Sequence, residues 1–539
     1  MTRRIALACL AVYVLGACGA PAHRFPLRTP MWVDDDRQPF AGRPAEIATP
    51  AQWDRIDHSI FRPLAEAFLY ERSSEAIDVN AMDEVPSSSW FTNRIGFVPL
   101  RPSRIARGAC REITEPPRPW TVTRAKTSGT SPGLFVRDAA GGQHLLKVDF
   151  DLPERGTAAD SIATRLFWAA GYETPCNRVV FLTPDELLIG DGEHAPSRED
   201  VERALRSAVR LPDGTMRASL SELLPGAPIG GWTFSGLRPD DLNDVVPHEH
   251  RREVRGMLVL SAWLNHIDSR AENNLDMWVE GEDGRGYVQH YVLDAGDSFG
   301  QVFPESLTMS QSFGLSSYVD FQHMLEDFLS LGIAERPWLG ARRGDAGNVF
   351  GFFDVERFDA NDWRNGYPNP AFDRATERDR AWMARIVARF GEPELRAAIA
   401  TGRFHREETG EELLRILRGR QARLLERYLT RLSPLTFPEV DADGRLCLRD
   451  VALESGLRTE RRYEAVAMPG WPTERRAPLS VTRDADRACV PLPSPGGEEY
   501  WVVDVVAETP GRERTGAARV HLYAMEDGWH VAGLERPDR

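Results

Sequence analysis

Short apolar runs broken by glycine mark the chain from Trp120 to Phe150. WTVTRAKTSGTSPGLFVRDAAGGQHLLKVDF alternates apolar and polar positions in three stretches, with turn residues at Ser128-Gly129 and Gly141-Gly142, and so predicts three strands. The period then changes. In TAADSIATRLFWAAG, Ile162, Leu166, Phe167 and Ala170 recur at helical spacing, and Gly171 is suited to end that helix. NRVVFL predicts another strand, the charged stretch near Arg198 to Arg206 a helix, and Pro212-Asp213-Gly214 a turn before MRASLSELLPG. From His248 the segment HEHRREVRGMLVLSAWLNHI carries a continuous apolar stripe and predicts a helix. LDMWVEGEDGRGYVQHYVLDAG then reads as a hairpin turning at Glu282-Asp283-Gly284. Helical spacing dominates again from Asp373 to Leu432.

After Ser433-Pro434 the helical period vanishes. LCLRDVAL, YEAVAM, EYWVVDVVAE and ARVHLYAM alternate at regular spacing, as in an antiparallel β-sandwich of about one hundred residues. Ahead of the strand region, the chain up to Gly108 is rich in proline and charge, with one helix expected near Gln52 to Glu71. SSSWFTNRIG reads as extended, with Trp90 and Phe91 packing it onto the next unit. Asp34-Asp35-Asp36 reads as a solvated turn, and Asp441-Ala442-Asp443-Gly444 as a hairpin turn that lacks the later glutamate of a calcium loop.

The N-terminus changes the picture of where this chain works. In MTRRIALACLAVYVLGACGAP, Arg3 and Arg4 precede an apolar run, Ile5 to Leu15, too short to span a bilayer comfortably. Leu15-Gly16-Ala17-Cys18 resembles a bacterial lipobox, which implies cleavage before Cys18, acylation of its thiol, and attachment to a membrane of the cell envelope. With Gly19 rather than aspartate after the cysteine, sorting to the outer membrane is expected. A chain of 539 residues exceeds one ordinary core. The boundaries read as a signal peptide over 1–17, an N-terminal extension over 18–118, a β-rich unit over 119–240, a helical unit over 241–432, and the sandwich over 433–539. A net charge of -15 argues against a general nucleic-acid binder. Cys110, Cys176, Cys447 and Cys489 allow three pairings in an oxidising compartment; Cys447 with Cys489 is preferred because both lie in one β-rich segment.

Candidate chemistry sits between the helix and the hairpin. In NHIDSRAENN, His266 stands two places before Asp268, and Asn273 follows that aspartate by five. Asp294-Ala295-Gly296 comes after the hairpin, and HLLKVDF puts Lys147 on a predicted strand ahead of Asp160 on the next helix. Phosphoryl transfer needs little more than this: a carboxylate to meet the acceptor hydroxyl, oxygen ligands for Mg²⁺, and a cation to steady phosphates. Each part also has a bland reading. Asp268 could cap a helix, Asn273 and Asp294 could stabilise turns, and Lys147 with Asp160 could be a structural ion pair.

Taken in order, these segments resemble the atypical protein-kinase-like superfamily of the HipA, lipid-kinase and spore-coat-kinase type, over roughly Trp120 to Leu432. SSSWFTNRIG, LLKVDF, PHEHRREVRG, AWLNHIDSR, the Asp-x-Gly segment and YPNPAF carry a further likeness to a group of bacterial envelope proteins, which implies no activity of its own. The resemblance implies an α+β chain with a bilobal kinase-like fold, β-rich N-lobe and helical C-lobe, followed by the sandwich. It implies that Lys147, held by Asp160, orients the phosphates of ATP or another nucleotide. Gly129 and Gly133 allow a glycine-containing lid to approach closely. Asn273 and Asp294 would hold Mg²⁺ or Mn²⁺, Asp268 would receive the acceptor's proton, and Arg270 would offset charge on the moving phosphoryl.

Three departures stand out. Ile267 replaces an arginine that binds an activation-loop phosphate, Ala295 replaces the usual phenylalanine, and Asp160 is shorter than the usual glutamate. The expected function is a membrane-tethered phosphotransferase acting on an envelope protein, lipid or glycan. The alternatives are nucleotidyl transfer from the same pocket and a non-catalytic binding module. His248 and His250, at i, i+2 spacing, point to different sides of a helix and are read as structural rather than metal ligands.

Overall fold

A computed structural model describes residues 23–47, 53, 56–61, 64, 74–126, 133–149, 154–191, 196–206, 208–300, 313–336, 338, 349–350, 352–495 and 497–538. Its architecture is mixed α and β, with several antiparallel sheets.

A two-residue strand, β1 (Phe40–Ala41), and a short helix, α1 (Pro102–Arg107), precede the three predicted strands β2 (Trp120–Ala125), β3 (Gly133–Arg137) and β4 (Gln143–Val148). Helix α2 (Arg155–Ala170) follows, then β5 (Asn177–Leu182), β6 (Leu187–Ile189), helix α3 (Arg198–Leu205) and β7 (Met216–Glu222). These strands form one six-stranded sheet in the order β5-β7-β4-β3-β2-β6, antiparallel except where β6 joins β2. Alternation decides its faces. Leu146 and Val148 of β4 join Val122, Leu134, Ala218 and Leu220 in one hydrophobic cluster, so Lys147, between them, points to the other face. Helix α2 lies on that face: its Asp160 accepts a hydrogen bond from Ser219, the residue directly opposite Lys147.

Nearly every residue of α2 is buried, its charged Arg155, Asp160 and Arg165 included. It ends where expected. Gly171 has φ 140° and gives its N–H to the carbonyls of Phe167 and Trp168. A Cβ there would stand 2.1 Å from the Phe91 ring, so the glycine also makes room for the N-terminal extension.

Strands β8 (Ala227–Pro228), β9 (Asn274–Glu280) and β10 (Arg285–Val292) form a second sheet with β1, in the order β1-β10-β9-β8. Helix α4 (Arg252–Leu264) enters just before it, preceded by a single turn at His248–His250. Helices α5 (Phe321–Leu329), α6 (Pro370–Asp373), α7 (Glu377–Val387), α8 (Glu392–Ala400) and α9 (Glu407–Tyr428) complete this region. Helices α2, α4, α7, α8 and α9 share one core with Trp90 and Phe91 of the extension. Burying each large apolar side chain there contributes roughly 1.5–3 kcal/mol. Among the described residues no helix is long and apolar enough to cross a membrane.

The last hundred residues hold two antiparallel sheets. One has the order β11 (Leu435–Val440), β12 (Arg445–Asp450), β16 (Arg487–Pro491), β15 (Thr482–Asp484); the other, β14 (Ala477–Leu479), β13 (Arg462–Pro469), β17 (Tyr500–Glu508), β18 (Ala518–Met525), β19 (Gly528–Glu535). Leu446, Leu448 and Val490 of the first and Val503, Val505 and Val520 of the second belong to one cluster. The preferred disulfide is present: Cys447 and Cys489 face each other across β12 and β16. Cys110 and Cys176 form the other.

A buried charge network ties these units together. Asp83 of the extension binds Arg252 at the start of α4 at 2.5 Å, Arg385 of α7 at 3.6 Å, and Arg536 just beyond β19. Asp379 of α7 binds Arg252 and Arg255 at 3.2 and 3.1 Å. One expectation fails in the extension. Asp36 is not a solvated turn residue; it is buried and accepts hydrogen bonds from the Ser89 N–H and hydroxyl at 2.7 and 2.6 Å. Of the helix expected over 52–71, the described residues are helical: Trp53, Ile56 and Leu64 are α-helical and Asp57–Phe61 forms one wide turn.

Candidate active site

Strand pairing sets the position of Lys147. Gly133 lies directly opposite on β3 and Ser219 directly opposite on β7, so small side chains flank the lysine on both sides. A Cβ on Gly133 would come within 2.9 Å of the Leu146 carbonyl oxygen, so the close approach of β3 requires glycine here. Gly129, the other expected lid glycine, lies outside the described residues, as does Cys18.

Lys147 Nζ donates to Asp294 Oδ2 at 3.1 Å. The lysine side chain is 22% exposed and the aspartate 43%, so the pair is open to solvent on the aspartate side. Burial pulls the Lys147 ammonium down, but the charges of Asp294, Asp160 and Asp297 outweigh it and hold it above its ordinary value. Lys147 in turn, opposed by burial, lowers the Asp294 carboxyl to about 2. The ion pair expected between Lys147 and Asp160 takes another form. Asp160 is buried and accepts from Asn177 Nδ2 at 2.8 Å and Ser219 Oγ at 2.7 Å, acting on the lysine through its charge alone. Being shorter than glutamate, it stops at these neighbours. Burial raises the Asp160 carboxyl to about 6, with Lys147 pulling the other way.

The loop after α4 is a buried turn rather than a solvated polar stretch. Asn265 ends α4 in the left-handed region at φ 54°, and its Oδ1 accepts from Trp363 Nε1 at 2.9 Å. His266 is buried edge-on to Phe167. Burial lowers its pKa, with Asp268 and Asp294 opposing. Ser269 is gripped at both ends: Asn365 Oδ1 accepts from its N–H at 3.1 Å, and Asn365 Nδ2 donates to its carbonyl at 2.9 Å. Between these fixed points stands Asp268. Arg270 Nε donates to Asp268 Oδ1 at 2.6 Å, and the guanidinium also binds Glu272 and lies 5.2 Å from the Tyr367 ring centre. Asn273 Nδ2 donates to the Asp268 carbonyl at 2.7 Å. That bond occupies the amide nitrogen and leaves the amide oxygen as the ligand atom.

Ile267 and Ala295, two of the departures from the kinase pattern, are both buried in the main core. At these positions the chain uses apolar packing.

Three groups escaped the sequence reading. Asp297 shares a hydrogen bond with Asp268; burial, then the charges of Asp268 and Asp294, push its carboxyl well above the ordinary range. Lys126 lies beside Gly133 and feels both Lys147 and Asp294; burial and Lys147 lower its pKa. Asn365 positions the loop from a hundred residues away. Asp297 follows the Asp-x-Gly by one place and Lys126 opens KTSGTSPGLFV, so both had a signal in their neighbours; Asn365 had none.

The remaining candidates are structural. His248 is buried between Asp244 and the Thr233 carbonyl, and His250 accepts from Arg255. Asp441 to Gly444 forms the turn joining β11 and β12. Among the described residues, no cluster of three or more His, Cys, Asp or Glu side chains is arranged to hold a metal.

No protein-family model and no curated protein matches this chain. Two solved structures are similar to part of it. One, a crystal structure of the Golgi casein kinase with Mn/ADP bound, is 10% identical at a TM-score of 0.22, covering 52% of this chain and 75% of that one. The other, of the Golgi casein kinase, is 10% identical at a TM-score of 0.22 and covers 54% and 76%. A similarity at that score carries no weight for fold or chemistry.

Proposed function

We propose that this chain is an atypical kinase-like phosphotransferase that takes a nucleotide with Mg²⁺ or Mn²⁺ at the Lys147–Asp294 pair. In this reading the six-stranded sheet and the helices after it are the two lobes, and residues 433–539 are a sandwich. The shared cluster between the two C-terminal sheets supports the sandwich. One observation carries the functional reading: a strand lysine and a half-exposed aspartate, distant in sequence, meet at 3.1 Å, with Asp160 set behind them.

Asp294 and the Asn273 amide oxygen are the donors that would hold the divalent cation, which supplies charge neutralisation for the phosphates. Both are oxygen donors, as such a hard cation requires. Lys147 and Lys126 offer positive charge to the nucleotide phosphates. Asp268 orients an acceptor hydroxyl. The hydroxyl oxygen bonds to the terminal phosphorus, the bond to the bridging oxygen breaks, the nucleoside diphosphate leaves with that electron pair, and Asp268 takes the proton. Arg270 fixes Asp268 through Oδ1, so the carboxylate is oriented before the acceptor arrives. The acceptor in this reading is an envelope protein, lipid or glycan, and acylation at Cys18 holds the enzyme to the outer membrane.

Thermal-shift titration with Mg²⁺ or Mn²⁺ and nucleotides tests the proposal. A bound nucleotide at a hundred times its dissociation constant stabilises by about 2.7 kcal/mol. The wild type should shift and Asp294→Ala should not. No shift with any nucleotide ends the enzyme reading. Release of nucleoside diphosphate marks phosphoryl transfer, and release of pyrophosphate marks nucleotidyl transfer.

A further inference from the structure

One residue near the start of the described chain is held as a peptide ligand is held. Phe25 belongs to no strand, yet side chains of the C-terminal five-stranded sheet bind both of its main-chain groups. Its N–H donates to the Tyr500 hydroxyl at 2.9 Å, and its carbonyl accepts from the Tyr523 hydroxyl at 2.9 Å. Tyr500 on β17 and Tyr523 on β18 are direct cross-strand partners, so the two hydroxyls clamp one residue from the same face of the sheet.

The ring has a seat of its own. Gly533 of β19 lies beneath it, and a Cβ at that position would strike the Phe25 ring. His521, directly opposite Gly533 on β18, forms a wall, its ring centre 4.9 Å from that of Phe25. The Tyr500 hydroxyl that accepts from Phe25 also bonds His521 Nδ1 at 2.8 Å, so wall and clamp are one unit. A bulge follows at once: Leu522 pairs with Val531, which leaves Ala532 unpaired. Such bulges re-aim neighbouring side chains. Val520 and Leu522 belong to the cluster shared with the first sheet, so His521 and Tyr523, alternating with them, face outward.

The two residues before Phe25 are read as well. Arg24 lies over the Tyr500 ring at 4.9 Å, and His23 Nδ1 is 3.3 Å from Glu535 Oε1. The other Glu535 oxygen is 3.3 Å from His521 Nε2. Beyond Phe25 the grip ends. Pro26 to Thr29 are exposed, and the chain is next fastened at Met31, whose carbonyl accepts from Asn80 Nδ2 at 2.9 Å. One anchored aromatic residue between exposed neighbours follows the logic of peptide recognition: main-chain hydrogen bonds supply affinity, and a pocket for one side chain supplies specificity.

We propose that the outer face of β17, β18 and β19 is a peptide-binding site for an extended His-Arg-Phe segment, and that residues 23–25 of this chain are its ligand, held in cis. The site involves neither Lys147 nor Asp294 and stands whether or not the chain transfers phosphate.

Saturation-transfer NMR on the full chain, with a capped peptide of residues 23–29 as the probe, tests this. Phe25→Ala empties the seat, and millimolar peptide should then receive saturation at its phenylalanine ring protons. The transfer should be about tenfold weaker on the wild type, whose tethered segment competes intramolecularly. It should be lost on the chain carrying Phe25→Ala with Gly533→Val, where the new side chain fills the seat the ring has left. That double variant should melt as Phe25→Ala alone does, because the ring is what a Cβ at 533 would strike. Tyr523→Phe in the Phe25→Ala chain removes only the hydroxyl that clamps the carbonyl, and should weaken the transfer severalfold. A peptide with alanine in place of the phenylalanine should receive none. Absence of transfer from the emptied chain overturns the proposal, and so does equal transfer from the Gly533→Val chain or to the alanine peptide. A wild-type dimer that Phe25→Ala dissociates overturns the placement in cis, because a second copy would then supply the segment.

Discussion

Lys147 and Asp294 are separated by 147 positions in the chain and meet at 3.1 Å. Strand β4 supplies one and the segment after β10 the other, so the contact joins the six-stranded sheet to the region of α4. Lys147→Met should keep the fold, because the side chain is partly open to solvent. It should abolish the nucleotide-induced thermal shift and reduce turnover by about 10²–10³-fold, the range for removing one preorganised charge-stabilising group. Lys147→Arg should fail to restore it, since a planar fork does not replace a compact ammonium beside Asp294.

Asp160 gives a pH signature. Its folded value of about 6 lies above the unfolded value near 4. A raised acid favours folding while protonated, so its contribution is complete below about pH 4 and is lost as pH rises through about 6. Over that window, in metal-free and nucleotide-free buffer, the unfolding free energy from urea titrations should fall with pH by on the order of 3 kcal/mol. Asp160→Asn should flatten the slope. Asp294 acts at lower pH, because its depressed value gives stability that disappears only as pH falls from about 4 to about 2.

Asn365 grips both sides of the Ser269 backbone. Asn365→Ala should leave the buried Ser269 N–H without its partner, at a cost of about 1–3 kcal/mol, while the Ser269 carbonyl keeps the Asn369 amide at 3.3 Å. Turnover should fall more than nucleotide binding does, because the loop carries Asp268 while Lys147 is held elsewhere. A kcat loss with little change in nucleotide affinity is the expected result.

Removing Asp83 takes from Arg536 its carboxylate, and leaves Arg252 with Asp379 and Arg385 with Glu84. Burial raises the Asp83 carboxyl, but Arg252, Arg536 and Arg385 together pull it well below the ordinary range. Asp83→Ala should destabilise by about 3–5 kcal/mol, as when one partner of a buried ion pair is deleted. Calorimetry should show the C-terminal sheets melting before the helices rather than in one transition.

The Cys110–Cys176 and Cys447–Cys489 bridges close 66 and 42 residues. Replacing either pair by serine should destabilise by about 4 kcal/mol on the loop-entropy estimate. Urea unfolding of each double variant measures it.

The local elements were legible because their periods are local. The alternation that puts Lys147 opposite Leu146 and Val148, the helical stripe of α2, and the Asp283-Gly284 turn between β9 and β10 each need only a few neighbouring residues. The partners of Lys147 were not legible in the same way. Chain order suggests Asp160, but a one-carbon difference from glutamate lets Ser219 and Asn177 capture that carboxylate, and Asp294 takes the lysine. Asp36 misled for a related reason: three consecutive carboxylates read as solvated, yet one folds under the Ser89 backbone. Asn365 shows the limit most plainly, since nothing near it in the chain tells that it braces a loop a hundred residues upstream.

The position of Arg536 has a consequence for synthesis. It follows directly on β19 and binds Asp83, which also meets Arg252 at the start of α4 and Arg385 in the last turn of α7. The Leu534 N–H is given to the Ala81 carbonyl close by. While a ribosome is still adding β19, the early segment around Asp83 has Arg252 and Arg385 but not Arg536. The network therefore closes only once the segment carrying Arg536 has been made, and a chain cut before β19 would leave it unlatched.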